Sequence, residues 1–251
     1  MTVFVTLLKR FMLMVALALK IVILVFITFN TNILMGAENR VAPSALDGSS
    51  KNAPNISLNQ SAENKLPIIL VVGDSISAAY GIEQHLGWVA LLEQKLTAQN
   101  FSYEVVNASV SGNTSADGLR RLPKLLKQYR PNIVVIELGG NDGLRGHPIK
   151  LMKNNLQQMI DLSLNNNANV LLAGIEIPPN YGVRYTTLFR DAFQSLAATN
   201  RNIQYEPFIL DAVATKPELM QSDGIHPIAA AQPQLLINIW DDLYPLLVPE
   251  K

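Results

Sequence analysis

Residues 67–77 read PIILVVGDSIS, and this segment sets the architecture expected for the whole domain. The run up to Val72 is continuously apolar and rich in β-branched side chains, which favours a strand buried on both faces, as in a parallel sheet. Gly73 ends the run and permits a sharp turn, so we expect Ser75 at the junction between the strand and the helix that follows it. A serine there is either an exposed nucleophile beside free backbone N–H groups or simply the cap of the helix.

The same alternation continues along the chain. Four further β-rich runs lie at residues 103–106, 133–138, 170–175 and 203–206, and segments with helical spacing lie between them. This alternation with short links predicts an α/β fold: a doubly wound, mostly parallel five-stranded sheet flanked by helices in three layers. Functional groups of such sheets gather in the loops at the carboxyl ends of the strands.

Composition excludes several classes of function. The chain has 251 residues, and its 20 Lys and Arg balance its 20 Asp and Glu to a formal net charge of zero. A nucleic-acid-binding protein usually needs a basic face, so no nucleic-acid partner is expected. The lack of cysteine excludes disulfides, thiolate metal sites and a cysteine nucleophile, and three histidines make a histidine-rich metal site unexpected.

The N-terminal region differs from the rest of the chain. Residues 11–29 form a 19-residue apolar run broken only by one lysine and one threonine, directly after a Lys–Arg pair. This is the pattern of a secretory signal, although the run also approaches the length of a membrane span. We predict a signal peptide or membrane anchor at 1–37, a disordered linker at 38–65 and the folded domain at 66–251. Whether the segment is cleaved or retained, we expect the domain to be exported, to the periplasm or the outer face of the inner membrane. A retained segment would tether the domain to the membrane through residues 11–29.

Three later loops carry residues of the kinds that catalytic sites use. Gly112 follows the second predicted strand and lets a backbone N–H approach a ligand, while Asn141 follows the third and can present an NH₂ group to an oxyanion. Asp223 lies three residues before His226, close enough in one tight turn to orient the imidazole. Each loop, taken alone, is better explained as an ordinary turn. With Ser75, however, the set supplies a nucleophile, two oxyanion donors and an acid–base pair.

Two other histidines are formal rivals for the base. His85 and His147 have no carboxylate three residues before them, but Glu83 and Asp142 are close enough in sequence to keep both under consideration. We expect substitution of either to affect activity much less than substitution of His226.

The polar blocks resemble those of the GDSL, or SGNH, hydrolases. The resemblance rests on GDSIS at 73–77, Gly112, GGNDGLRG at 139–146, IPPNYG at 177–182 and DGIHP at 223–227. Nearly the whole domain is covered, and an isoleucine replaces the leucine of the family's name. The longer motifs are similar to those of the branch that acts as thioesterases, lysophospholipases and arylesterases.

The resemblance implies a mechanism. Ser75 would attack an acyl ester or thioester, and lysophospholipids are among the expected substrates. His226 would act as the base, and Asp223 would orient His226. The backbone N–H groups of Ser75 and Gly112 and the amide of Asn141 would bind the oxyanion. The same resemblance implies that the protein needs no metal or other cofactor and is a monomer.

Substrate-binding residues are expected beside the site. Leu144, Ile177, Pro178 and Tyr181 are predicted to line an acyl groove, although packing within the loops explains them equally well. Two other functions stay open at this point: a carbohydrate O-deacetylase on the same fold, and a non-catalytic domain that binds lipid or glycan.

Overall fold

The computed structural model describes residues 66–247. The predicted signal or anchor segment and the predicted linker lie outside the described residues, as do the last four residues of the chain. No helix within residues 66–247 combines the length and the apolar character needed to cross a membrane.

Strands and helices alternate along the described residues. In chain order they are β1 (Ile68–Gly73), α1 (Trp88–Ala98), β2 (Glu104–Asn107), α2 (Ser115–Tyr129), β3 (Ile133–Glu137), α3 (Gly140–Leu144), α4 (Ile149–Asn165), β4 (Asn169–Ala173), α5 (Val183–Thr199), β5 (Gln204–Glu206) and α6 (Gln232–Leu247). Short 3₁₀ helices lie at Gln84–Leu86, Pro179–Tyr181, Pro217–Leu219 and Ala229–Ala231. The third and fourth strands end earlier than predicted. Leu138 and Ile175 extend the apolar runs in the sequence, but they lie in the loops after the strands, where both are buried.

The strands form one sheet in the order β2-β1-β3-β4-β5, and every pairing between them is parallel. On one face α1 packs against α6, whereas α2, α4 and α5 pack in series on the other. All residues of β1 and β3 are buried, as the continuous apolar runs predicted. The predicted α/β fold, a doubly wound five-stranded sheet between helices, is therefore confirmed.

One local expectation is wrong: no regular helix begins at Ser75. The segment after β1 makes a single helical turn, in which the Ala78 N–H donates to the Asp74 carbonyl (3.0 Å). Ala79 and Gly81 then take left-handed backbone angles, with φ of 58° and 75°, which interrupt a right-handed helix. The first helix therefore begins only at Trp88.

Candidate active site

The candidate site lies at the carboxyl ends of β1 and β3, where the order of the strands reverses. Ser75 comes two residues after β1, and Asn141 lies in the first turn of α3, just after β3. Asp223 and His226 belong to the loop that precedes α6. Doubly wound sheets bind ligands at this switch point, since the two neighbouring connections leave on opposite faces and open a crevice.

The turn that carries Ser75 rests on a buried glutamate at the end of β3. Glu137 Oε2 accepts hydrogen bonds from the Asp74 N–H (3.3 Å) and from Ser77 Oγ (2.7 Å). A Cβ atom on Gly73 would lie 2.7 Å from the same Glu137 oxygen, so the absence of a side chain allows this close approach. The glutamate thereby fixes the turn on both sides of Ser75.

Two carboxyl groups are buried beneath the turn. Burial raises the pKa of Asp74 to about 6, although hydrogen bonds from Ile76 and Asn141 and the charge of His226 oppose the rise. Burial, together with the charge of Asp74, raises the pKa of Glu137 well above its ordinary value. Neighbouring carboxylates disfavour double ionisation, so the raised pKa of Glu137 favours its protonated form beside Asp74.

The loop before α6 brings an imidazole and a carboxylate to Ser75. His226 Nε2 lies 2.8 Å from Ser75 Oγ, and His226 Nδ1 lies 2.6 Å from Asp223 Oδ2. The other carboxylate oxygen, Oδ1, accepts from the N–H groups of Ile225 (2.9 Å) and His226 (3.0 Å), so one tight turn holds the acid and the imidazole together.

The charge state of Asp223 determines the form of the imidazole. Partial burial opposes ionisation, but hydrogen bonds from the His226 side chain and from two backbone N–H groups hold the pKa of Asp223 at about 2. An ionised carboxylate can only accept, so it selects the tautomer with the proton on Nδ1 of His226. The lone pair on Nε2 then faces the hydroxyl of Ser75, as a general base requires.

Two residues that the sequence did not single out hold His226 beside the turn that carries Ser75. The ring of Tyr80 stands with its centroid 4.6 Å from that of His226. Gln221 donates from Nε2 to the Tyr80 carbonyl (2.8 Å) and from its backbone N–H to the His226 carbonyl (2.7 Å). Gln221 thus joins two segments 141 residues apart, and no local pattern reveals such a bond.

The two rival histidines are engaged elsewhere. His85 Nδ1 lies 3.4 Å from Glu83 Oε2, and both side chains are exposed. His147 Nδ1 lies 3.9 Å from Asp142 Oδ1, but that carboxylate already accepts from the backbone N–H and the hydroxyl of Ser115, each at 2.7 Å. Among the described residues no group of three His, Asp or Glu side chains is placed to hold a metal ion.

The two predicted oxyanion residues outside the serine turn are connected through an arginine. Gly139, with φ of 119°, turns the chain sharply from β3 into α3 and so presents Asn141 at the switch point. Asn141 Nδ2 donates to Asp74 Oδ2 (3.0 Å). Arg145 Nη2 donates both to Asn141 Oδ1 (3.3 Å) and to the Gly112 carbonyl (3.0 Å). Arg145 lies within a recognised motif, but the sequence alone indicates no role for it.

The four predicted groove residues differ in exposure. Ile177 is only 5% exposed and packs against Gly143, so it lies in the core beneath α3. Leu144 and Pro178 are half-buried, and Tyr181 is 39% exposed. The Tyr181 hydroxyl donates to the Leu144 carbonyl (2.9 Å), which connects the two loops. An acyl groove at these residues remains a prediction.

A cavity of about 450 Å³ lies at the opposite end of the sheet. Its lining includes Pro67, Lys127, Arg130 and Asn132, at the amino ends of β1 and β3. None of the predicted site residues lines it, and sheets of this kind do not bind substrates at their amino ends. The candidate site is therefore the switch point at Ser75.

Known proteins share this fold and much of this sequence. The esterase TesA of Pseudomonas aeruginosa is 51% identical over 179 residues, which cover 71% of this chain and 89% of that protein. Thioesterase 1/protease 1/lysophospholipase L1 of Escherichia coli K12 is 42% identical over 179 residues, or 71% and 84% of the two chains. The crystal structure of the psychrotrophic esterase EstA from Pseudoalteromonas sp., inhibited by monoethylphosphonate, matches 72% of this chain and 98% of its own with 43% identity and a TM-score of 0.67.

The fold and these relatives together define an ester hydrolase. The model of the GDSL-like lipase/acylhydrolase family matches residues 71–232, from β1 to the start of α6. The chain belongs to this family, so the resemblance seen in the sequence blocks is confirmed.

Proposed function

We propose that the protein hydrolyses acyl esters and thioesters, lysophospholipids among them, with Ser75 as nucleophile, His226 as base and Asp223 as the residue that orients the base. One observation carries the proposal: Ser75 Oγ, both nitrogens of His226 and Asp223 Oδ2 form a continuous chain with distances of 2.8 and 2.6 Å. The oxygen, base and acid are thus within hydrogen-bond reach before any substrate binds.

In the first half of the reaction, Ser75 Oγ bonds to the carbonyl carbon while its proton passes to His226 Nε2. The carbonyl oxygen takes up the displaced electron pair, and the imidazolium is stabilised by the ionised Asp223. The backbone N–H groups of Ser75 and Gly112 and the Nδ2 of Asn141 are proposed to bind this oxyanion. One such donor typically lowers the barrier by about 3–4 kcal/mol.

The remaining steps release the two products in turn. When the tetrahedral carbon collapses, the bond to the alcohol or thiol breaks and His226 returns the proton to that leaving group. Water then attacks the acyl-Ser75 ester, and His226 accepts a proton from it. When this second intermediate collapses, His226 returns its proton to Ser75 Oγ, which restores the hydroxyl and releases the carboxylic acid, so water is the one co-reactant consumed.

Substitutions test the residue roles directly. Ser75→Ala should abolish turnover of p-nitrophenyl esters and covalent labelling by a fluorophosphonate. Asp223→Asn should lower kcat by about 10⁴-fold, because an amide favours the wrong imidazole tautomer. His85→Asn and His147→Asn are matched controls and should retain activity. Normal turnover by Ser75→Ala, or losses in His85→Asn and His147→Asn as large as the loss in His226→Asn, would contradict the proposed roles.

A substrate panel tests the acyl preference. The names of the relatives include esterase, thioesterase and lysophospholipase, which favours lipid-derived substrates over acetylated carbohydrate. We expect kcat/KM for p-nitrophenyl esters to rise from acetyl towards octanoyl, with measurable cleavage of lysophosphatidylcholine. A strong preference for acetyl esters and acetylated oligosaccharides would instead indicate an O-deacetylase.

The location of the domain is part of the proposal. Residues 1–37 are proposed to direct export, and the 28 residues of the linker would let a retained domain reach about 30 Å from the membrane. Cell fractionation, with N-terminal sequencing of the mature protein, distinguishes a cleaved signal from an anchor. Recovery of the uncleaved chain in the cytoplasm would contradict export. Light scattering of the purified protein should give the mass of a monomer.

A further inference from the structure

Arg145 is a charged side chain that contacts the candidate oxyanion groups and that the proposed mechanism does not use. It caps the carboxyl end of α3, and its Nη2 atom donates to the Gly112 carbonyl at 3.0 Å and to Asn141 Oδ1 at 3.3 Å. The side chain is otherwise exposed. A single guanidinium nitrogen therefore joins two loops that follow different strands.

The Asn141 amide is held between groups of opposite charge. On one side its Nδ2 donates to Asp74 Oδ2 at 3.0 Å, and on the other its Oδ1 accepts from Arg145. A flipped amide would place its NH₂ against the guanidinium and its oxygen against the carboxylate, so both contacts would become repulsive. The two partners thus fix which end of the amide is the donor.

This orientation leaves one proton free. The Asn141 NH₂ group has two protons, of which Asp74 receives one. The second is available to a substrate oxygen at the switch point. The positive charge of Arg145 on Oδ1 also polarises the amide, which makes the remaining N–H a stronger donor.

We infer that Arg145 is a positioning residue for the oxyanion hole: it fixes the Asn141 amide and holds the Gly112 loop beside it. The inference rests on the proposed function. Arg145 touches neither Ser75 nor His226, and it acts through two oxyanion groups that matter only as charge develops. Its loss should therefore lower kcat and leave KM nearly unchanged.

The test compares Arg145→Met and Arg145→Lys with Arg201→Met in the full chain. Arg201 is an exposed arginine between α5 and β5 and serves as the matched control. With a neutral substrate, p-nitrophenyl butyrate, Arg145→Met should lower kcat by about 10–100-fold, less than removal of a donor itself. Arg145→Lys should recover part of the loss, because one ammonium reaches one of the two acceptors. Arg201→Met should match the wild type.

Three further measurements distinguish positioning from a general structural role. Added guanidinium ion should restore part of the kcat of Arg145→Ala, and all variants should melt within a few degrees of the wild type. In an Asn141→Ala background, Arg145→Met should have a much smaller effect than in the wild type, since both changes remove the same donor.

Several outcomes would overturn the inference. An unchanged kcat, or losses that multiply fully in the double variant, would show that Arg145 does not act through Asn141. A rise in KM confined to anionic substrates such as acyl-CoA would show that Arg145 binds the substrate instead. If Asn141→Ala alone had no effect, the proposed oxyanion hole would be wrong, which is a separate result.

Discussion

Replacing Glu137 by alanine or glutamine tests the buried carboxyl beneath the turn that carries Ser75. Glu137 Oε2 is the acceptor for two buried donors, the Asp74 N–H and the Ser77 hydroxyl. In Glu137→Ala both lose their partner, at about 1–3 kcal/mol each. Water entering the vacated space recovers part of this, so we expect the free energy of unfolding at pH 5 to fall by about 2–4 kcal/mol. For a domain of this size that lowers Tm by about 5–15 °C.

Glu137→Gln is the matched variant because it keeps an acceptor oxygen and removes only the ability to ionise. If Glu137 is neutral in the folded enzyme, as its raised pKa implies, glutamine is a near-isostere and should cost less than about 1 kcal/mol at pH 5. The turn then stays in place, and kcat should remain close to that of the wild type.

The pH dependence has a definite sign. A folded-state pKa above the unfolded one means that the unfolded chain releases its proton first, so the stability from neutral Glu137 is fully present at low pH and is lost as pH rises. Glu137→Gln cannot ionise, and its stability should decline less than that of the wild type between pH 5 and 8. Urea unfolding at both pH values measures this. A loss at pH 5 as large as that of Glu137→Ala, with the wild-type pH slope retained, would refute a neutral Glu137.

Three other changes probe separate parts of the molecule. A Cβ on Gly174 would collide with the backbone carbonyl of Pro207, so Gly174→Ala should lower the free energy of unfolding by about 3 kcal/mol, and an unchanged urea midpoint would contradict this packing. Tyr80→Leu removes the ring that packs against the His226 imidazole, so kcat/KM for p-nitrophenyl butyrate should fall; an unchanged kcat/KM would argue against a role for this contact. Burial, together with nearby carboxylates, raises the pKa of Glu206 to about 6, so its contribution to stability is lost as pH rises through 6, and Glu206→Gln should flatten that decline in thermal melts.

The parts of the fold that follow from local pattern were predictable. β1 and β3 are buried on both faces, so their sequences are apolar without interruption and mark both the strands and the loops after them. Asp223 and His226 lie within one turn, so their spacing alone predicted a contact between them. The turn after Ser75 was mistaken for a helix start because the left-handed backbone of Ala79 has no sequence signature.

The supporting residues were not predictable, because their partners are distant in the chain. Glu137 resembles a polar residue at the exposed end of a strand, yet it lies fully buried beneath Asp74 and Ser77, 60 or more residues away. Arg145 contacts Gly112 across 33 residues. Only the register that aligns Gly73 with Glu137 brings these loops together, and that register depends on the assembled sheet.

The turn that holds Asp223 and His226 bears on how the proposed triad could be transferred to another protein by design. Asp223 and His226 are positioned together by one turn, since the carboxylate makes hydrogen bonds to the backbone of that turn as well as to the imidazole ring. Within the proposed triad, only one long-range alignment, between His226 Nε2 and Ser75 Oγ, must then be achieved. To graft the proposed triad onto an unrelated parallel sheet, an engineer would have to place two short segments rather than three independent side chains.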